Sequence, residues 1–425
     1  MSPPTTRLWC ELAWLGGDHA EAGVLIELEG PTIARVSAGV GAPAGARRMA
    51  GLTLPGLANA HSHCFQRALR GRTEAPARGS FWTWRNEMYA LAERLDEARY
   101  EALARATFAE MALAGFTLVG EFDYIHHSAA TVRAAAAAGV RLTLIDACYL
   151  EGGLERFRDP GGEAWCARMA ELEPGGVLDG GLVRPAAAIH SLRAVDPEAA
   201  AMVAAFANER EWPLHAHVSE QVRENEEIIE RYGQTPTALL AAAGALSPRF
   251  SAVHATHMTD EDSELMRAAG AYCCMCPTTE RDLADGIGPV AGRLTLGSDS
   301  QAVIDPFEEA RAVELDNRLA TGTRGSFGAP ALARALSADG YASLGWPEGG
   351  TIVAGALADL TTVGLDSVRL AGTGPRHALD AVIFAGSAGD VSHVMVAGEF
   401  VVFNGAHVSL DVPVELAASI TAVWS

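Results

Sequence analysis

Several residues in this chain have the types and spacing of metal chemistry. His61 and His63 lie one residue apart at the end of an apolar run, Thr53–His63. On a strand, positions i and i+2 face the same way, so both imidazoles reach one side. His217 ends another such run and is followed three residues later by Glu220, His254 lies near the end of a third, and Asp299 ends a fourth. A single histidine on a strand is usually no more than a hydrogen-bonded structural residue. Three imidazole nitrogens and one carboxylate gathered at strand ends are different: that donor set suits a catalytic zinc-like ion with a position left open for water.

The elements that must carry these residues repeat a pattern. Strand-like apolar runs fall at Thr53–His63, Thr117–Tyr124, Arg141–Leu150, Leu182–His190, Pro213–Ser219, Phe250–His257, Ala271–Pro277 and Leu294–Ser300. Helical stretches lie between them, among them Glu97–Ala114, Thr131–Ala138, Pro197–Glu211, Gln221–Tyr232 and Asp260–Ala269. Eight such alternations over about 250 residues predict an α/β fold, a (β/α)8 TIM barrel, whose sites sit at the C-terminal ends of its strands. The candidate ligands fall at those ends. Before and after the barrel the texture changes to short strands and turns, with Val24–Leu28 and Ile33–Val36 at one end and Gly349–Leu365 and Ala381–Val408 at the other. Neither end is long enough to bury a good core alone. The expected division is therefore 1–52 and 346–425 as two halves of one small β-sandwich, with the barrel over 53–345.

Composition narrows the chemistry. The 425 residues carry 53 acidic against 32 basic side chains, formally −21, a surface that repels phosphate backbones and argues against nucleic acid as a partner. All 32 basic residues are arginine. Without lysine, a Schiff base, a P-loop lysine and a carbamylated-lysine metal bridge are excluded. Seven scattered cysteines suit a reducing compartment better than a disulfide scaffold. The N-terminal stretch has Glu11 inside its only apolar run, and no run of about 18 uncharged apolar residues occurs, so neither a secretory leader nor a membrane span is expected. A cytoplasmic location follows as the expectation.

Pro55-Gly-Leu-Ala-Asn-Ala-His61-Ser-His63, His217-Val-Ser-Glu220, His254 and Gly297-Ser-Asp299-Ser, in that order, resemble the amidohydrolase superfamily across nearly the whole chain. The resemblance implies a metal-dependent barrel with a flanking β-sandwich, and, with no lysine to bridge two ions, the mononuclear deaminase branch. It implies one divalent ion, most simply Zn2+, held by His61, His63, His217 and Asp299. It further implies Asp299 and His254 as the groups that orient a water and take its proton, Glu220 as the group that protonates the departing nitrogen, and a homodimer. His257, three residues past His254, is read as a packing residue or one that supports the site from behind.

Three further segments refine the resemblance: the turn His63-Cys-Phe-Gln66-Arg with the run Phe81-Trp-Thr-Trp-Arg85, the strand end Glu121-Phe-Asp-Tyr124, and the turn His190-Ser-Leu-Arg193. With Cys276-Pro-Thr-Thr-Glu280, they are similar to the formimidoylglutamate deiminases, which hydrolyse N-formimino-L-glutamate to N-formyl-L-glutamate and ammonia in histidine degradation. Gln66, Arg85, Tyr124, His190 and Arg193 are then the expected substrate-binding residues. Two arginines able to grip carboxylates in bidentate fashion fit a dicarboxylate substrate in an otherwise anionic protein. The alternative within the superfamily is a deaminase of a heterocycle such as guanine, cytosine or S-adenosylhomocysteine. A nucleobase-deaminase zinc site at His19-Ala-Glu21 and Cys273–Cys276 is incomplete, because Tyr272 stands where that motif needs proline.

Overall fold

The computed structural model describes residues 6–74, 79–171 and 181–425. Eight parallel strands follow one another in chain order around a barrel: Leu57–Ser62, Phe116–Asp123, Arg141–Cys148, Val183–Ile189, Leu214–Val218, Phe250–His254, Tyr272–Met275 and Arg293–Leu296. The eighth meets the first through a parallel bridge, Ser62 to Asp299. There the His63 amide donates to the Asp299 carbonyl and the Asp299 amide to the His61 carbonyl, both at 3.0 Å. The barrel thus closes at the point where three of the candidate ligands meet.

The helices start and stop where their caps say they should. Glu97–Ala114 begins at Asp96, whose carboxylate accepts the Arg99 amide, and ends at Gly115 in the left-handed region. Pro197–Glu209 begins behind Asp196, and Asp260–Ala269 behind a reciprocal Thr259–Asp262 cap.

The terminal segments build a second, mixed sheet of eight strands, four from each end of the chain. The halves join where Leu360–Val363 pairs antiparallel with Arg47–Pro55. The sheet has its own apolar cluster, including Leu8, Cys10, Val24, Ile26, Met49, Leu360 and Met395.

Three expectations change. The run Thr53–His63 is not one strand: Thr53–Pro55 belongs to the terminal sheet, and the chain turns into the barrel at Gly56. A Cβ at Gly56 would stand 2.5 Å from the Tyr341 hydroxyl and 2.6 Å from Thr117 Oγ1, so only glycine passes. The stretch from Ala381 does not open as a strand, because Ala378–Ala385 is a helix against Pro306–Thr321. Its sequence, ALDAVIFA, is apolar but for Asp380 and too short for a period that tells helix from strand. The last residues, Val412–Trp424, form a helix that packs on Glu97–Ala114 of the barrel, with an Arg105–Glu415 ion pair and the Trp424 indole donating to the Ala68 carbonyl.

Barrel and sheet are clamped by a buried charge pair. Arg141, on the third barrel strand, binds Asp359 at 2.5 Å and 3.1 Å, and the same carboxylate accepts the Tyr341 hydroxyl and the Ala397 amide. Removing one member leaves the other charged and buried. Asp359→Ala is expected to lower unfolding free energy by about 3–5 kcal/mol in a denaturant titration. Among the described residues no helix is long and apolar enough to cross a membrane.

Candidate metal centre and its cavity

His61 lies at the floor of the barrel mouth with no solvent exposure. Its Nε2 is 3.2 Å from His63 Nε2, 3.2 Å from His217 Nε2 and 3.2 Å from Asp299 Oδ1. The four donor atoms lie within 4.8 Å of one another. Burial pushes all three imidazoles down, His63 to about 3, so they stand neutral. Burial alone would raise Asp299, but its hydrogen bond to His61 and the neighbouring imidazoles hold the carboxyl well below its ordinary value.

The far sides of two rings fix their tautomers. His217 Nδ1 faces the His190 carbonyl at 2.8 Å and His63 Nδ1 faces the Phe122 carbonyl at 3.2 Å. Each of these Nδ1 atoms must carry the proton to donate to a carbonyl, which leaves the Nε2 lone pair aimed inward. Lone pairs converging beside a carboxylate repel one another unless a cation lies among them, so the donor set fits a divalent ion of the zinc type.

Backbone strain gathers here too. Ser219, His254, Ala255 and Asp299 all hold positive φ, at 53°, 68°, 56° and 43°. Such conformations persist where the surroundings enforce them, and they cluster at functional sites. The eighth strand presses close: a Cβ on Gly297 would sit 2.7 Å from the His61 carbonyl and 2.8 Å from its Cβ. Gly297→Ala is expected to displace His61, to lower metal content per chain, and to cost about 1–3 kcal/mol of stability. Metal analysis and thermal unfolding check it.

A cavity opens above the cluster. It is lined by ten of the eleven residues singled out from the sequence: His63, Gln66, Arg85, Tyr124, His190, Arg193, His217, Glu220, His254 and Asp299. His61 lies beneath them. Helix Phe81–Glu93 contributes Phe81, Trp84, Arg85 and Met88, one face at helical spacing. The Arg85 guanidinium lies 4.5 Å over the Trp82 ring and 5.5 Å from that of Tyr89, its Nε is buried without a hydrogen bond, and it has no carboxylate partner among the described residues. Arg193 differs: its Nη2 holds Glu220 Oε2 at 2.8 Å and its Nε faces Glu224 at 3.7 Å. The Gln66 amide donates to the Tyr124 hydroxyl at 3.3 Å, and its own Oε1 is buried with no partner. His190, lowered well below its ordinary value by burial and then by Arg193, is a neutral imidazole.

His254 stands among carboxylates: Glu280 at 3.4 Å on Nδ1, with Glu220 at 3.7 Å and Asp299 at 4.0 Å on Nε2. Burial opposes its charge, yet Glu220, Glu280 and Asp299 together raise it well above the usual histidine value. A dication among the ligands acts in the opposite direction. His257 is half-buried and lies outside the cavity lining. The buried thiols Cys274 and Cys276 pack with Ala60 and Val253.

Several residues had no role assigned from the sequence, Glu280 among them although its segment was noted. Glu280 sits beneath His254 and also accepts the Cys276 amide at 2.8 Å. Glu224 accepts the Glu220 amide at 3.0 Å. Asp285, pushed to about 9 by burial and then by Glu220, accepts from the Gln221 amide. Tyr149 packs on His190 with ring centroids 4.5 Å apart. Glu224 follows Glu220 by one helical turn, Glu280 lies in the short helix Pro277–Asp282 that opens the noted Cys276–Glu280 segment, and Asp285 follows that helix.

The comparisons with known proteins agree with this geometry. The amidohydrolase family model matches residues 52–401. The chain is 35% identical over 404 residues to the formimidoylglutamate deiminase of Pseudomonas aeruginosa, covering 85% of this chain and 87% of that protein. It is 29% identical over 362 residues to the 5-methylthioadenosine/S-adenosylhomocysteine deaminase of Natronomonas pharaonis, covering 83% and 81%. An amidohydrolase from Brucella melitensis, 30% identical, superposes with a TM-score of 0.90 over 99% of this chain and 100% of that one. A zinc-bound adenosine deaminase from Xanthomonas campestris, at 23% identity and a TM-score of 0.89 over 99% and 98%, shares the fold. The chain belongs to the amidohydrolase family, among its members that hydrolyse C–N bonds as deaminases.

Proposed function

We propose that the protein hydrolyses N-formimino-L-glutamate to N-formyl-L-glutamate and ammonia. The observation that carries this reading is the pair of arginines, Arg85 and Arg193, that line one cavity above the His61–His63–His217–Asp299 cluster. A heterocycle needs a flat apolar slot; two guanidiniums suit a ligand with two carboxylates. In a chain of formal charge −21, capture of a dianion depends on such local cations. The likeness to the Pseudomonas aeruginosa deiminase supports the same substrate.

One divalent ion held by the four ligands would supply Lewis acidity, which lowers the pKa of water from 15.7 toward about 7. Arg85 and Arg193 hold the two carboxylates, and Gln66, Tyr124 and His190 complete the hydrogen bonding at the cavity wall. Gln66 Oε1, unpartnered in the protein, is free to accept from the formimino N–H groups. The glutamyl end so anchored places the formimino carbon over the cluster, where the attacking water's oxygen can reach it. Asp299 accepts that water's proton. As the carbon becomes tetrahedral the C=N electron pair passes to the imino nitrogen, and His254, held in place by Glu280, donates a hydrogen bond to the attacking oxygen. Glu220 protonates that nitrogen and is reprotonated by the new hydroxyl as it becomes the formyl carbonyl; the nitrogen takes its second proton from Asp299, the C–N bond breaks, and ammonia leaves.

Ammonia release from N-formimino-L-glutamate, run beside S-adenosylhomocysteine and 8-oxoguanine, tests the assignment. Release from the first alone is expected; release from a heterocycle alone would overturn the substrate and leave the fold standing. Arg85→Gln should lower kcat/KM for formiminoglutamate about ten- to a hundredfold, the loss of one charge-assisted contact of about 1.5–3 kcal/mol. Steady-state kinetics reads this directly.

A further inference from the structure

The two cavity arginines are not equivalent. Arg85 has no carboxylate partner among the described residues, while Arg193 lies between two, Glu220 at 2.8 Å and Glu224 at 3.7 Å. Glu224 is tied down by the Glu220 backbone amide, which it accepts at 3.0 Å, so Glu224 cannot readily leave. Glu220 has no such anchor on its side chain: one oxygen rests on Arg193 and the other faces His254 at 3.7 Å.

Resting on the dicarboxylate reading above, we infer that Arg193 is shared between the proton donor and the substrate: a substrate carboxylate arriving at Arg193 displaces Glu220, and Glu220 takes up the proton that it later delivers to the leaving nitrogen. The reason is charge. With the substrate bound, three carboxylates compete for one guanidinium in a buried site, and like charges at such distances disfavour full ionisation. The groups that face Glu220 are Arg193 from the turn after the fourth strand, Glu224 from helix Val222–Tyr232, His254 from the sixth strand end, and Asp285 from beyond helix Pro277–Asp282. Two of these are carboxylates and His254 sits among others, so losing its single strong cation is decisive for Glu220. A substrate without that carboxylate leaves Glu220 bound to Arg193 and unprotonated. The enzyme then rejects it at the chemical step as well as in binding.

The test uses the metal-loaded protein and glutarate, a dicarboxylate with no nitrogen to expel and fully ionised at pH 8. Calorimetric titration in two buffers of different ionisation enthalpy measures the protons taken up on binding. The expected result is uptake of about one proton per site. Glu220→Gln should bind glutarate with no uptake, whereas Glu224→Gln should keep the uptake. Glutarate binding without proton uptake, or uptake that survives in Glu220→Gln, overturns the inference while leaving the substrate assignment intact. Failure of the wild-type protein to release ammonia from formiminoglutamate overturns the assignment itself.

Discussion

Asp299→Ala protein is expected to purify without bound divalent ion and to lose more than about a thousandfold in kcat/KM, since the ion's acidity supplies several kcal/mol of charge stabilisation. Two functions disappear with this one carboxylate. Its Oδ1 is the anionic member of the donor set, 3.2 Å and 3.3 Å from His61 and His63 Nε2, and its Oδ2 faces His254 at 4.0 Å. Without it three neutral imidazoles remain, and the site loses its negative charge. The backbone of residue 299 adds a complication, because its φ of 43° is strained for any residue with a Cβ. Asp299→Asn keeps that backbone and the side-chain shape, so a loss of metal in both variants assigns the effect to charge. Metal analysis of the two purified variants, with circular dichroism to establish folding, checks this.

Glu220→Gln is expected to behave differently: bound metal and melting temperature stay near wild type while kcat falls about 10^2–10^4-fold, the range for loss of a positioned general acid. Glu220 does not touch the four ligands through any contact within salt-bridge distance, and glutamine preserves the hydrogen bond that Arg193 donates to its side chain. What glutamine cannot do is give up a proton to the departing nitrogen. The comparison of kcat with metal content separates this from the Asp299 result, where both fall together. Near-normal turnover would remove Glu220 from the reaction.

The site was legible in the sequence to the extent that strand ends reveal it. His61, His63, His217, His254 and Asp299 each stand at the end of an apolar run, and the barrel converts those ends into one mouth. The barrel strands themselves, buried on both faces, read as continuous apolar runs. Contacts between distant segments left no such trace. Glu280 lies 26 residues beyond the histidine that it holds, and Arg193 lies 27 before the glutamate that it pairs with. No periodicity encodes either distance, so an arginine expected to wait for substrate is instead found on Glu220. The break at Gly56 is a steric matter, set by Tyr341 and Thr117 from elsewhere in the chain. Helix Ala378–Ala385 was hidden by its short, mostly apolar sequence, and the terminal helix by its docking partner, Glu97–Ala114.

Catalysis at this site depends above all on where the ion lies. Anomalous diffraction from crystals of the metal-loaded protein, collected above and below the zinc edge, measures this. One peak per chain is expected, about 2.0–2.2 Å from His61 Nε2, His63 Nε2, His217 Nε2 and an Asp299 oxygen. A fully loaded crystal with no peak among these four atoms, or with its ion bound elsewhere, would contradict it.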